Sequence, residues 1–295
     1  MIPPEDLMKY EAKVIPEGIN TSKHSPLREL VLLTSGSLAV LFLLISLLTF
    51  LTDYLVGFIP LETENRWFDS QLIDFKSSAV EQAEGDIHYQ SEQYLMDLVN
   101  RLKQKEYEEF QFTVSIIEDE YPNAFIVPGG HIFITTGLFD YVDSENGLAM
   151  VLSHEMAHQY RRHPLSSMGR GVIISITLAM LLGNEAGEWI QNFFFEVANI
   201  SQLAFSREQE READSIAVES LIKRYGHAQG ASEFFIKIKN LEGLQSSLPT
   251  FYQSHPGTGE RIRFISQFED RFKGNKVNLP EFIAAITIQG KTSPD

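Results

Sequence analysis

The stretch Val151-Leu152-Ser153-His154-Glu155-Met156-Ala157-His158 decides how the rest of the chain reads. It has the form HExxH. On a helix, positions four apart lie one above the other on the same face. Two imidazoles therefore reach one metal ion from a rigid support. Glu155, next to His154, reaches a water at the metal without being a ligand itself. The flanks supply the helix. Asp143 or Ser144 is placed to cap its first free amides, Leu148, Ala149, Val151 and Leu152 give it a buried side, and Pro164 marks its end. The two histidines thus fall in mid-helix.

Upstream, residues 86–105 repeat apolar positions (Tyr94, Leu95, Leu98, Val99, Leu102) at helical spacing, within a stretch (61–109) that reads as helical. Residues 110–116 alternate strictly, as a half-buried strand does. Two short apolar runs, 124–127 and 132–135, flank Pro128-Gly129-Gly130, a hairpin turn. A small antiparallel sheet is therefore expected before the motif helix. Downstream, the apolar run 171–182 is too short to span a bilayer and reads as a core or interfacial helix. Residues 190–205, with Phe193, Phe194 and Phe195 adjacent, fit either core or lipid. Residues 206–224 carry a strong helix pattern ended by Gly226, and 231–241 and 257–270 are further helices. After Gly274 a short tail is expected, its final residues loose. The fold class is α+β, mostly helical and zincin-like, with an N-terminal transmembrane helix.

That helix is residues 30–52, free of charge between Glu29 and Asp53 and long enough for a bilayer core. The leader before it is long and mixed in charge, and no small-residue cleavage site follows, so it reads as an uncleaved anchor. The expected organisation is a flexible leader (1–29), the anchor and its exit (30–59), a zinc peptidase domain (60–275) and a tail (276–295). Lys13, Lys23 and Arg28 precede the span against Arg66 after it, which puts the N-terminus in the cytoplasm and the large domain outside. The acidic leader (Glu5, Asp6, Glu11) is unlike an Arg-rich presequence, so a bacterial inner membrane with a periplasmic domain is the simplest reading. The chain has 295 residues and a net charge of −16, with no basic excess for nucleic acid. It has no cysteine, which excludes disulfides and thiolate metal sites.

Two histidines do not complete a hydrolytic zinc site, which needs a third protein ligand and an open position. His163 follows His158 by five residues, where the three-histidine version of the motif needs six and an intervening glycine, so it reads as a structural or supporting group at the helix end. Glu210 is the better candidate. It shares a helix face with Asp214, so one carboxylate can bind metal while the other orients a histidine ring. Alone, this charge run would read as a solvated face. The upstream motif and the small Ala213, which permits close helix packing, favour the ligand.

HEMAH followed by Ser206-Arg207-x-x-Glu210-x-x-Ala213-Asp214 resembles the integral-membrane zinc peptidases of family M48, which include HtpX-type quality-control proteases, CAAX prenyl proteases and mitochondrial Oma-type proteases. Asn123-Ala124-Phe125, Pro128-Gly129-Gly130 and Thr135-Thr136-Gly137-Leu138 resemble that family's strand pair, and Ser254-His255-Pro256 with Arg261 its late His-Pro…Arg element. The match runs over about residues 85–270, in order. The resemblance implies one zinc ion held by His154, His158 and Glu210, with Glu155 as general base and Asp214 as support. It places His255 and Arg261 near the reacting carbonyl. Substrate would add as a strand beside Asn123, Ala124 and Phe125. One departure is the single clear span, which favours a single-anchor, extracytoplasmic type over the multi-span members with a cytoplasmic site. The implied function is a membrane-anchored metalloendopeptidase acting on unfolded or flexible protein segments in envelope quality control. The rival is an anchored chaperone or assembly factor whose zinc site is autoinhibited or non-catalytic.

Overall fold

The structure is a computed structural model that describes residues 25–69, 87–182, 204–241, 251 and 254–290. In chain order the helices are α1 (Pro26–Val56), α2 (Leu61–Asp69), α3 (Ile87–Leu102), α4 (Glu145–Tyr160), α5 (His163–Leu182), α6 (Arg207–Tyr225), α7 (Glu233–Lys239), α8 (Thr258–Arg271) and α9 (Glu281–Gly290). Strands β1 (Thr113–Ile117), β2 (Ala124–Val127) and β3 (His131–Thr135) lie between α3 and α4. The chain divides into two compact units, Met1–Ser46 and Leu47–Asp295, with the boundary inside α1.

Among the described residues α1 is the one helix long and apolar enough to cross a membrane by length and composition. It contains the expected span 30–52, and its first turn takes in the last residues assigned to the leader. Residues 1–24 and the triple phenylalanine at 193–195 lie outside the described residues.

The sheet has the order β1-β3-β2. The expected hairpin is present: β2 pairs antiparallel with β3, Ala124 opposite Ile134. The sheet as a whole is mixed rather than antiparallel, because β1 runs parallel to β3, Thr113 opposite His131. The link from β1 to β2 carries the chain past one strand position, about 4.8 Å per strand, and β3 returns into the gap. Gly130 closes this arrangement. Its φ is +84° and a Cβ there would collide with the Gln111 carbonyl, so the turn lies against the lead-in to β1.

The main core lies between this sheet and the helices α3, α4, α6 and α7. Leu95, Leu98, Val99 and Leu102, the stripe read from spacing, are its α3 contribution. α4 is buried along its whole length and packs most broadly on α6, where Ala157, Ala213 and Ala217 are fully buried and let the two backbones approach. The short tail expected after Gly274 is tied to the fold over part of its length. Val277 N–H donates to Asn146 Oδ1 (2.7 Å) and Glu145 N–H to the Val277 carbonyl (2.9 Å), tying the segment to the start of α4. α9 then buries Ile283 and Ile286 in the core. Its short apolar face packs chiefly on the distant α3 and the 3-10 segment Thr136–Tyr141, which local pattern does not reveal.

Candidate metal centre and active site

The motif helix is fixed at both ends. Ser144 is its N-cap and accepts from Gly147 N–H (3.1 Å), while the Ser144 hydroxyl donates to Glu233 of α7 (2.7 Å). Tyr94 and Tyr225 donate to the two oxygens of Glu145 at 2.6 and 2.7 Å. At the other end Arg161 closes the helix and Arg162 turns the chain with φ +54°, a left-handed conformation uncommon for a residue other than glycine. Pro164 is therefore not at the end of α4 but in the first turn of α5, where a missing N–H costs nothing.

Between these ends four donors converge. His154 Nε2 lies 3.0 Å from His158 Nε2 and 3.3 Å from His255 Nδ1. Glu210 Oε1 lies 3.0 Å from His255 Nδ1 and 3.4 Å from His158 Nε2, and Glu210 Oε2 lies 3.5 Å from His154 Nε2. One ligand atom from each of the four residues falls within 4.8 Å of all the others. Ligands held about 2.0–2.1 Å from a tetrahedral ion stand about 3.3 Å apart. The N/O donor set and its spacing thus fit a divalent ion of the zinc type.

Glu155 stands apart from this set. Its carboxylate is fully buried, and neither oxygen has a hydrogen-bond partner among the described residues. Its nearest charged-capable neighbour is His255 Nε2, at 3.7 Å. A buried carboxylate left this way costs stability, and burial pushes its proton affinity up.

Around the donors lies a supporting layer. Asp214 Oδ1 is 3.0 Å from His154 Nδ1, which leaves Nε2 for a metal. His163 Nδ1 is 2.9 Å from His158 Nδ1 and does the same for the second ring, the supporting role its position after the motif predicts. Arg261 grips Asp214 through two bonds of 2.9 and 2.8 Å and places Nη1 2.7 Å from Glu210, with its guanidinium 4.5 Å from the Phe235 ring centroid. Phe205 stacks on His158 and Phe251 on His255, with centroids 3.9 and 4.5 Å apart. These two aromatic walls carry no sequence signal that separates them from core phenylalanines.

The electrostatics follow from burial and pairing. Burial and Arg261 pull His154 down, but the carboxylates of Asp214 and Glu210 more than offset them and hold it at about 9. His158 is held well below its ordinary value by burial. His163 is pushed down to about 3, again by burial. Glu210 and Asp214 sit below the usual carboxylate range, since Arg261 and the imidazoles outweigh their burial.

The structure brings together His154, Glu155, His158, Glu210, Asp214, His255 and Arg261. His255 lies within the donor group itself, and Arg261 lies behind Glu210 and Asp214. Asn123 precedes, and Ala124 and Phe125 begin, strand β2, which is one edge of the sheet among the described residues and packs on α4. The Asn123 Oδ1 is buried without a partner there.

A motif helix carrying two histidines, a second helix supplying Glu210 and a small sheet with its edge strand on the motif helix define the architecture of a metallopeptidase. The model of peptidase family M48 matches residues 84–269, more than half of the chain, and the chain belongs to that family. Among curated relatives, the mitochondrial metalloendopeptidase OMA1 of Schizosaccharomyces pombe is 30% identical over 162 residues, covering 54% of this chain and 47% of that protein. The putative beta-barrel assembly-enhancing protease of Vibrio cholerae is 32% identical over 160 residues, 51% of this chain and 33% of that protein. Human OMA1 is 23% identical over 172 residues, 54% of this chain and 32% of that protein. The chain spans about half or less of the length of these relatives.

Proposed function

We propose that the chain is a membrane-anchored, zinc-dependent metalloendopeptidase that cleaves unfolded or flexible protein segments, with a quality-control role in a bacterial envelope. The observation that carries this reading is the buried, unpartnered Glu155 carboxylate beside four converging metal donors. A zinc ion held by His154, His158 and Glu210 would supply Lewis acidity and a water acidic enough to ionise near neutrality. Glu155, its proton affinity raised by burial, takes the proton of the attacking water and returns it to the leaving amine. Asp214 and His163 keep the two ligand rings oriented, and Arg261 holds Asp214 and Glu210 in place. His255 faces Glu155 with Nε2, from where it steadies the developing oxyanion. Substrate lies extended along β2, beginning at Asn123, whose free Oδ1 offers a polar contact.

The purified protein is expected to cleave casein, to stop when a chelator strips the metal, and to recover with one equivalent of zinc. Cleavage that survives full metal removal would defeat the reading. A second reading, an anchored assembly factor with a closed zinc site, is favoured by one observation: all four donors and Glu155 are buried. It predicts zinc at one per chain with no casein cleavage under any condition. The proposed topology, N-terminus in the cytoplasm and peptidase domain in the periplasm, is tested by protease accessibility in spheroplasts. External protease is expected to reach the peptidase domain, and its full protection would reverse the orientation.

A further inference from the structure

The run 171–182 is unused by the site, and the way α5 leaves α1 says where it goes. Leu165 and Met168 of α5 share a small apolar cluster with Val56 and Ile59 at the end of α1. One turn on, Gly169 lies so close to Thr52 that a Cβ would collide with the Thr52 methyl. Next, Arg170 Nη1 pairs with Asp53 Oδ1 at 2.5 Å. As α5 advances from 165 to 170, its partners on α1 retreat from 56 to 52. The two helices therefore run antiparallel, with Asp53 and Arg170 side by side.

Asp53 is the charge that ends the apolar stretch of α1, and Arg170 is the last charge before residue 185. The ion pair thus aligns the charge boundaries of both helices at one level, and in sequence both are uncharged beyond it, α1 back to residue 30 and α5 on to residue 182. In α5 that continuation is Gly171-Val172-Ile173-Ile174-Ser175-Ile176-Thr177-Leu178-Ala179-Met180-Leu181-Leu182. Its apolar residues fall on every side of a helix, which does not suit a helix with one core-facing stripe. Its polar side chains are two hydroxyls, which a helix satisfies on its own carbonyls.

We infer that residues 171–182 of α5 insert into the acyl region of the bilayer antiparallel to the anchor, as a second membrane contact that holds the peptidase domain against the surface. Twelve residues at 1.5 Å each reach about 18 Å, past the middle of a core about 30 Å thick but short of crossing it. The segment lies in the helix that follows α4, which ends at Tyr160 and is separated from α5 by two residues, so it fixes the motif helix relative to the membrane. The inference rests on reading α1 as an anchor.

The chain has no cysteine, so single cysteines can be placed in the full protein in lipid vesicles. Thr177→Cys and Ala179→Cys on α5, Leu43→Cys on α1 and the exposed Asn240→Cys would each carry a small fluorophore. The quenchers are lipids brominated on the acyl chain and aqueous iodide. Positions 177 and 179 are expected to be quenched by bromolipid as strongly as position 43 and to resist iodide, with position 240 the reverse. If 43 is quenched by bromolipid and 177 and 179 are not, the inference is overturned, whether iodide reaches them or protein covers them. If 43 itself escapes bromolipid, the anchor reading fails and takes this one with it.

Discussion

Two carboxylates in this molecule are equally buried and differ in everything else. Glu64 of α2 and Glu155 of α4 are both 0% exposed. Glu64 accepts from Gly129 N–H at 3.0 Å, from Gln159 Nε2 at 2.8 Å and from Arg162 Nε at 2.8 Å, with Arg162 Nη2 as a further donor. Arg162 in turn donates to the carbonyls of Val56 (2.9 Å) and Ile59, where the chain leaves α1. Glu155 accepts from no described residue. The filled valence of Glu64 builds structure: with Arg162 it ties the end of α1, the hairpin turn and the end of the motif helix together. In the proposed mechanism the empty valence of Glu155 is kept for a proton. Burial alone distinguishes neither role, and partner count does.

The largest expected effect sharpens the structural side. Glu64→Ala leaves the largely covered Arg162 with its ion pair gone and its strained backbone unsupported, and should cost about 3–5 kcal/mol. Urea unfolding measures it, and a loss under about 1 kcal/mol would make Glu64 no more than a surface-like pair. Removing support behind the donors acts on the metal instead. His163→Ala or Asp214→Asn should weaken zinc binding about 10- to 100-fold with the fold intact, read by competition with a chelating dye. Unchanged affinity would take these groups out of the supporting layer.

The smallest effect is on pH. In the metal-free protein His154 is held protonated up to about 9, above its ordinary 6.5. Its contribution to stability is therefore full below about 6.5 and is lost as pH rises through about 9. Metal needs the neutral ring, so zinc affinity should climb with pH by up to about tenfold per unit until about 9, with a proton released on binding. Calorimetry in buffers of different ionisation heat detects that proton, and none released at pH 7.5 would contradict the charge state of His154.

How much of this was legible in sequence follows the range of the interactions. His154, Glu155 and His158 are one helical turn apart, so spacing alone exposes them, and Glu210 with Asp214 repeats that logic. Ser144 as a cap and Gly226 as a stop are local chemistry too, and both stand as read. The parallel pairing of β1 with β3 is not local, since alternation tells a strand's faces and not its neighbour. Glu64 pairs with Arg162 across 98 residues, and nothing in Glu62-Thr63-Glu64-Asn65 distinguishes it from a solvated acid. The place of His255 among the donors depends on a contact with Glu210 45 residues away. Neither segment carries that information alone.

The central claim is that Glu155 is left empty for chemistry beside a metal it does not hold. The direct test is Glu155→Gln, with zinc content, thermal stability and casein cleavage measured on one preparation. One zinc per chain, stability equal to or above the parent, and cleavage reduced by about 10²–10⁴-fold are expected. Zinc lost together with activity would make Glu155 a ligand, and zinc retained with undiminished cleavage would contradict the account outright.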